Sequence, residues 1–403
     1  MTQHLSSTFY GLGIAPQILE VLDRLKFTVP TPIQYKVIPI AAERKDIVGV
    51  AQTGTGKTLA FAIPIIQQLA QGKGRCLVLV PTRELAVQVD ETFHKIAPIF
   101  GIKTSVIIGG VSMHLQLQEL KRNPRVLIAT PGRLVDHIKQ RTISLADIVV
   151  LVLDEADRML DMGFLPQIER ILPFIPRNRQ TMLFSATIPA EVIKIAAAHM
   201  KLPVHVEIAP SGTAAERLIQ ELFIVKKEAK RGLLGNLLTQ YHGPVLLFTR
   251  TKIGAHKVVQ FIRGMGHSAG EIHSDRSLGQ RREALEGFKS GKYRILVATD
   301  IAARGIDVVG IELVINYDLP EDAENYVHRI GRTARAGHEG RAISLATPDQ
   351  GPDVRNIEKI IMTALPVSKH SEFPRDIFTY HPQESAGHQR RRSPVHKRKQ
   401  WHR

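Results

Sequence analysis

From Lys45 to Ala209 short, almost unbroken apolar runs alternate with segments of helical period. Ile47 to Val50, Cys76 to Val80, Ser105 to Ile108, Val126 to Ala129, Ile148 to Leu153, Thr181 to Phe184 and Val204 to Ile208 are too short for helices and too continuously apolar for strands with one wet face. They predict parallel strands buried on both sides. Glu207 to Glu216 breaks the rhythm with Pro210, Ser211, Gly212 and other small residues, which predicts a linker over 210–216. Beyond it Val245 to Phe248, Ile295 to Val297, Leu313 to Ile315 and Ile343 to Leu345 repeat the pattern, up to a closing helix that ends near Met362. The expected fold class is α/β, with two tandem doubly wound parallel-sheet lobes over residues 1–209 and 217–367. Residues 368–403, rich in Pro, His and Arg and without periodicity, predict a disordered tail.

Composition narrows the partners. The chain is 43% apolar and 23% charged, and no apolar stretch nears the ~18 residues of a membrane span, so no membrane partner is expected. Met1 to Gly13 has neither a basic nor an apolar signal region, which points to the cell interior and the cytoplasm. The lone Cys76 sits in a strand-like run and reads as a small hydrophobe. A net charge of +16 implies a polyanionic partner, and seven of those charges fall within residues 388–403, between Arg390 and Arg403. With only 5% aromatic residues, repeated base stacking is excluded, so a nucleic acid would be held mainly by its backbone.

The candidate chemistry lies where strands end. Ala51-Gln52-Thr53-Gly54-Thr55-Gly56-Lys57-Thr58 follows a strand and opens a helix. The glycines admit phosphate oxygens, backbone N–H groups at the helix start face negative charge, Lys57 reaches the β- and γ-phosphates, and the Thr58 hydroxyl suits Mg2+. A glycine usually stands where Ala51 does, so the match to the bare phosphate-loop pattern is near rather than complete. Leu151-Val152-Leu153 delivers Asp154 and Glu155 to the same sheet edge, Asp154 as a Mg2+ holder and Glu155 as the group that orients or deprotonates a water. The two acids equally suit the N-terminus of a following helix. Polar residues also end the strands at Pro81-Thr82-Arg83, Thr130-Pro131-Gly132-Arg133, Ser185-Ala186-Thr187, Arg250-Thr251 and Thr299-Asp300, the edge at which open α/β sheets bind ligands.

Taken together these motifs resemble the DEAD-box family of ATP-dependent RNA helicases, in a compact form like the bacterial members. The resemblance runs from Phe9 to about Thr347 and includes Asp154-Glu155-Ala156-Asp157, Pro81 to Ala86, Ala298 to Asp307 and His328 to Arg335. It implies two RecA-like lobes with ATP and Mg2+ as cofactors and RNA as partner. It assigns Phe9, Phe27 and Gln34 to adenine recognition, Asp307 to a ribose or cleft contact, and Arg332 and Arg335 to arginine fingers from the second lobe. It further assigns Asp157, Ser185, Thr187, His328 and Arg329 to coupling between the lobes. Pro81, Thr82, Arg83, Gly109, Gly110, Thr130, Gly132, Arg133, Arg250, Thr251 and Thr299 become RNA-backbone contacts, a set of hydroxyls, glycine N–H groups and guanidiniums suited to phosphates.

The sequence departs from that family at Lys26 and Ala334, where glycine is usual, at Ser274, where glycine is usual, and at Leu278, where glutamine is usual. The implied activity is RNA-stimulated ATP hydrolysis coupled to local, non-processive unwinding of short duplexes or remodelling of RNA–protein particles. The expected form is a monomer, with ribosome-assembly or RNA-decay proteins as possible partners. Two alternatives share the motifs: an ATP-gated RNA clamp that does not unwind, and a DNA-driven translocase.

Overall fold

The computed structural model describes residues 8–52, 54–208, 218–300, 308, 310–334, 339–370 and 376–378. The proposed linker, 210–216, lies outside them, as does nearly all of the basic tail. Two parallel sheets form the framework. The first holds β1 (Ile47–Val50), β2 (Arg75–Leu79), β3 (Thr104–Ile107), β4 (Val126–Ala129), β5 (Ile148–Leu153), β6 (Gln180–Ser185) and β7 (Val204–Glu207), in the order β3-β4-β2-β5-β6-β1-β7. The second holds β8 (Leu218–Ile224), β9 (Val245–Phe248), β10 (Ala269–Ile272), β11 (Ile295–Ala298), β12 (Leu313–Asn316) and β13 (Gly340–Ala346), in the order β10-β11-β9-β12-β13-β8.

Alternate residues of each strand enter different cores. Val78 packs on one face of the first sheet while Leu77 and Leu79 pack on the other; in the second sheet Leu246 and Phe248 oppose Val245 and Leu247. Both faces are covered by helices, which is why the strands read as continuous apolar runs. The predicted strands fall where the pattern put them, with ends differing by up to three residues. Two more, β8 and β10, lack that pattern. β8 includes Gln220 and Glu221 and lies at a sheet edge, while β10 carries the buried Glu271 amid two histidines and Arg276. The C-terminal segment lines the free side of β8, with Val367 bridging Leu222 and the Asp376 N–H donating to Ile224 O at 3.1 Å.

The helix Pro16–Arg24 ends in a Schellman-type turn: the Phe27 N–H donates to Leu22 O at 2.9 Å and Lys26 stands in the left-handed region at φ +60°. Ala334 has φ +55°. Two of the three positions that depart from glycine, Lys26 and Ala334, therefore keep the backbone a glycine would take, and Ser274 does not. A left-handed lysine costs about 1–2 kcal/mol, partly offset because glycine has more freedom to lose on folding. Lys26→Gly is expected to stabilise the chain by up to ~1 kcal/mol, read as a higher urea midpoint at unchanged slope. A lower midpoint would show that the turn is not strained.

Candidate active site

The helix Pro32–Ala42 starts at Thr31, with Pro32 pre-set for its first turn and Gln34 as the N3 residue of a capping box. Gln34 Oε1 accepts from Thr31 N–H at 2.9 Å, and its Nε2 donates to Gly56 O at 3.1 Å. The amide thus ties the leader to the phosphate loop and keeps one N–H and one lone pair for a ligand. Gly56 has φ +88°, and a Cβ there would strike the Gln34 amide, so glycine is required at this approach. Lys57 is 5% exposed, and its only hydrogen bond among the described residues is the one Nζ donates to Ala51 O at 2.7 Å. Two of its three donors stay available. Thr55 Oγ1 closes the loop onto Gln52 O at 2.7 Å.

Gln34, Gly56 and Lys57 line a cavity of about 270 Å³ together with Phe27, Gly54, Thr58, Asp154 and Glu155. Its donor set, a cradle of loop N–H groups with one buried ammonium, fits a polyphosphate. Phe27 lines the cavity and is 39% exposed, whereas Phe9 is 3% exposed and packed in the first lobe's core. Of the two aromatics expected near the base, the structure thus brings Phe27 to the cavity and seats Phe9 in the core. Thr53, Asp307 and Arg335 lie outside the described residues.

Glu155 stands at φ +52°, ψ +51°, directly before the helix Ala156–Asp161. Such a conformation costs a non-glycine residue about 1–2 kcal/mol. Asp154 and Glu155 are each 2% exposed, but their surroundings pull them apart. Burial pushes the Asp154 carboxyl up to about 6 despite the Lys57 ammonium. Burial also opposes the Glu155 carboxylate, yet Arg158, Lys57 and Arg332 together outweigh it and hold the group below its usual range. Arg158 Nη1 reaches Glu155 Oε2 at 3.0 Å in a fully buried pair. Asp154 is thus a carboxylate short of cations, which suits Mg2+, and Glu155 is a fixed acceptor.

Asp157 is a hub. Its Oδ2 accepts from Ala186 N–H and Thr187 N–H, each at 3.0 Å, and from Thr187 Oγ1 at 3.2 Å, while its own N–H donates to Ser185 Oγ at 3.2 Å. The end of β6 is therefore bonded to the turn that bears Glu155. From the second lobe, Arg332 is 2% exposed, donates from Nε to His328 O at 3.2 Å and acts electrostatically on Glu155. His328, Arg329 and Arg332 of the second lobe line one small cavity with Arg158 of the first. Arg329 takes its bonding partners from its own lobe. Its guanidinium is bidentate to Asp300 at 2.5 and 2.7 Å, bonds Asp318 O and Asn316, and lies 5.0 Å from the centre of the Phe248 ring. Arg329 thereby braces the helix Glu324–Ile330, which carries His328, within its own lobe.

The RNA candidates form two groups. In the first lobe Arg83 lies against Gly109 and Gly110, where a Cβ at Gly110 would collide with the guanidinium, and Arg133 Nη1 donates to Val111 O at 2.8 Å. Thr82 caps the helix Arg83–Ile96, accepting from Leu85 N–H at 3.2 Å; Pro81 is buried beside it. Thr130 stands at the N-cap position of the helix Pro131–Lys139 without a side-chain cap bond, and Gly132 faces open space. In the second lobe Arg250, Thr251 and Thr299 line one cavity of about 440 Å³, to which the first lobe contributes Asp161. Sequence reasoning missed Arg158, although its spacing of three from Glu155 on a helix was the available signal. It also missed the pair Arg281 Nη2–Glu84 Oε2 at 2.6 Å, which no local pattern announces.

The sequence pattern of DEAD/DEAH box helicases matches residues 31–195, and that of the helicase conserved C-terminal domain matches residues 229–337. The chain belongs to the DEAD-box RNA helicases. It is 44% identical over 374 residues to the ATP-dependent rRNA helicase RRP3 of Meyerozyma guilliermondii, covering 92% of this chain and 78% of that protein. The ATP-dependent rRNA helicase RRP3 of Candida albicans is also 44% identical, over 92% of this chain and 70% of its own length. Among solved DEAD-box structures, S. cerevisiae Dbp5 bound to RNA and ADP BeF3 aligns with a TM-score of 0.79 at 29% identity, over 90% of this chain and 95% of that one. Mss116p bound to ssRNA and AMP-PNP aligns at 0.81 and 28%, over 89% and 78%. Both lobes are RecA-like by this likeness. Among the described residues no helix is long and apolar enough to cross a membrane.

Proposed function

We propose that this DEAD-box protein is an ATP-dependent RNA helicase whose hydrolytic site is complete only when the lobes meet. The observation that carries the reading is that Arg332, from the second lobe, lines one small cavity with Arg158, the first-lobe residue paired to Glu155. In this reading the loop Gln52 to Thr58 cradles the triphosphate, Gln34 and Phe27 hold the base, and Asp154 with Thr58 would hold Mg2+, which when bound neutralises charge on the phosphates. Glu155 orients the attacking water and accepts its proton as the bond to the γ-phosphorus forms and the bond to ADP breaks. Arg332, with Arg335, stabilises the charge that develops. RNA closes the lobes by binding both sets of strand-end residues through its backbone, and closure strains a short duplex locally.

The relatives' name, rRNA helicase, supports ribosomal RNA as the target and with it ribosome-assembly proteins as partners; the reading takes the enzyme as a monomer. It also takes the enzyme as cytoplasmic, and a fluorescent fusion confined to another compartment would overturn that location. The deciding test compares ATPase stimulation by RNA and by DNA of matched sequence and then measures separation of a short RNA duplex. RNA stimulation and strand separation are expected. Equal stimulation by DNA would favour a translocase, and stimulation without separation a clamp.

The basic tail is proposed to tether RNA. Support comes from Asp376, bonded at the carboxyl end of β8, the sheet edge that also carries Arg250, Thr251 and Thr299. Deleting residues 384–403 is expected to weaken RNA binding and flatten its salt dependence, by about 0.7 in log–log slope for each phosphate the tail would otherwise neutralise. An unchanged slope would refute the tether.

A further inference from the structure

Leu278, the first residue of the helix Leu278–Lys289, belongs to the second lobe by chain position, yet it is half-buried against the hydrophobic core of the first. One turn on, Arg281 pairs with Glu84 of the first lobe at 2.6 Å, and the two side chains are only 9% and 7% exposed. The i, i+3 spacing puts both contacts on one face of the helix. Ser277 sets that face, because its hydroxyl accepts from Gln280 N–H at 3.3 Å while Gln280 Oε1 accepts from Ser277 N–H at 3.0 Å, a capping box that fixes the helix start. On the other side Glu84 sits in the first turn of the helix Arg83–Ile96, next to the arginine that lies on Gly109 and Gly110.

We propose that Leu278, standing where glutamine is usual, supplies the apolar half of an inter-lobe latch whose ionic half is the Arg281–Glu84 pair, and that the latch holds the closed arrangement. The inference rests on the reading that hydrolysis needs closure. The apolar half matters because it removes leucine surface from water without any contribution from RNA. Closing then draws less on RNA binding energy, and the RNA concentration needed for stimulation falls. The latch leaves the closed site itself unchanged, so the rate at saturating RNA stays the same.

The test is steady-state ATPase against RNA concentration. Leu278→Ala is expected to raise the half-saturating RNA concentration roughly tenfold, the effect of losing about half a leucine's burial, at unchanged kcat, and Leu278→Met to restore it. A control pair of dyes, one on each lobe, should report less closure for Leu278→Ala at equal RNA with a non-hydrolysable ATP analogue. For the ionic half, Arg281→Met, Glu84→Gln and the double variant should shift the half-saturating concentration non-additively, the double shifting less than the sum. Unshifted half-saturation in Leu278→Ala, or additive shifts in the ionic cycle, would overturn the latch while leaving RNA stimulation of the parent intact. Absence of stimulation in the parent would instead bring down the closure reading.

Discussion

Glu155→Gln is expected to bind ATP and RNA as the parent does and to lose multiple-turnover hydrolysis by about 10^2 to 10^4-fold. The substitution is nearly isosteric, so the left-handed turn at φ +52° and the cavity wall survive. What goes is the charge. Three cations, Arg158, Lys57 and Arg332, hold Glu155 as a carboxylate against the burial that opposes it. A neutral amide cannot take the water's proton, and with its Oε1 accepting from Arg158 its other end is an NH2 donor in place of the acceptor oxygen. The low proton affinity of Glu155 makes orientation of the water its main contribution, with the proton taken late. Nucleotide binding and single-turnover assays with radiolabelled ATP separate binding from chemistry, and normal turnover in this variant would remove Glu155 from the mechanism.

The second large effect is expected at Arg332. Arg332→Ala should reduce RNA-stimulated ATPase by ~10^3 to 10^5-fold, the range for guanidiniums that meet a transferring phosphoryl group, with little loss of nucleotide affinity in the absence of RNA. The asymmetry is the informative part: the nucleotide cradle belongs to the first lobe, whereas Arg332 enters from the second. Arg332→Lys keeps the charge but not the fork, so a partial defect is expected. Melting of the full chain with and without ATP checks that the second lobe remains folded, since Arg332 is buried and bonded to His328 O. Unchanged stimulated rates would show that the residue is no finger.

Much of the site was legible because its parts are local. The loop Ala51 to Thr58 and the acids at the end of β5 each combine a strand, a turn and a side-chain type within a few residues, and each lies where the pattern put it. The partners that Phe9 and Arg329 take were not legible, for one reason. A residue type tells which contacts are possible, but not whether the chain's own groups take them first, as the first lobe's core takes Phe9 and Asp300 takes Arg329. The unrecognised strands failed similarly: the apolar run is a signature of double-sided burial, and β8, an edge strand, and β10, built around an ion-paired Glu271, do not need it.

The sequence by itself determined the two lobes, the phosphate loop and the carboxylate pair, since hydrophobic period, glycine placement and charge act over a few neighbouring residues. The closed site was decided only in three dimensions. Arg332 against Glu155, Arg281 against Glu84 and Leu278 against the opposite core join segments far apart in the chain, and their strength comes from water excluded when two independently patterned surfaces meet. No run of residues encodes that exclusion.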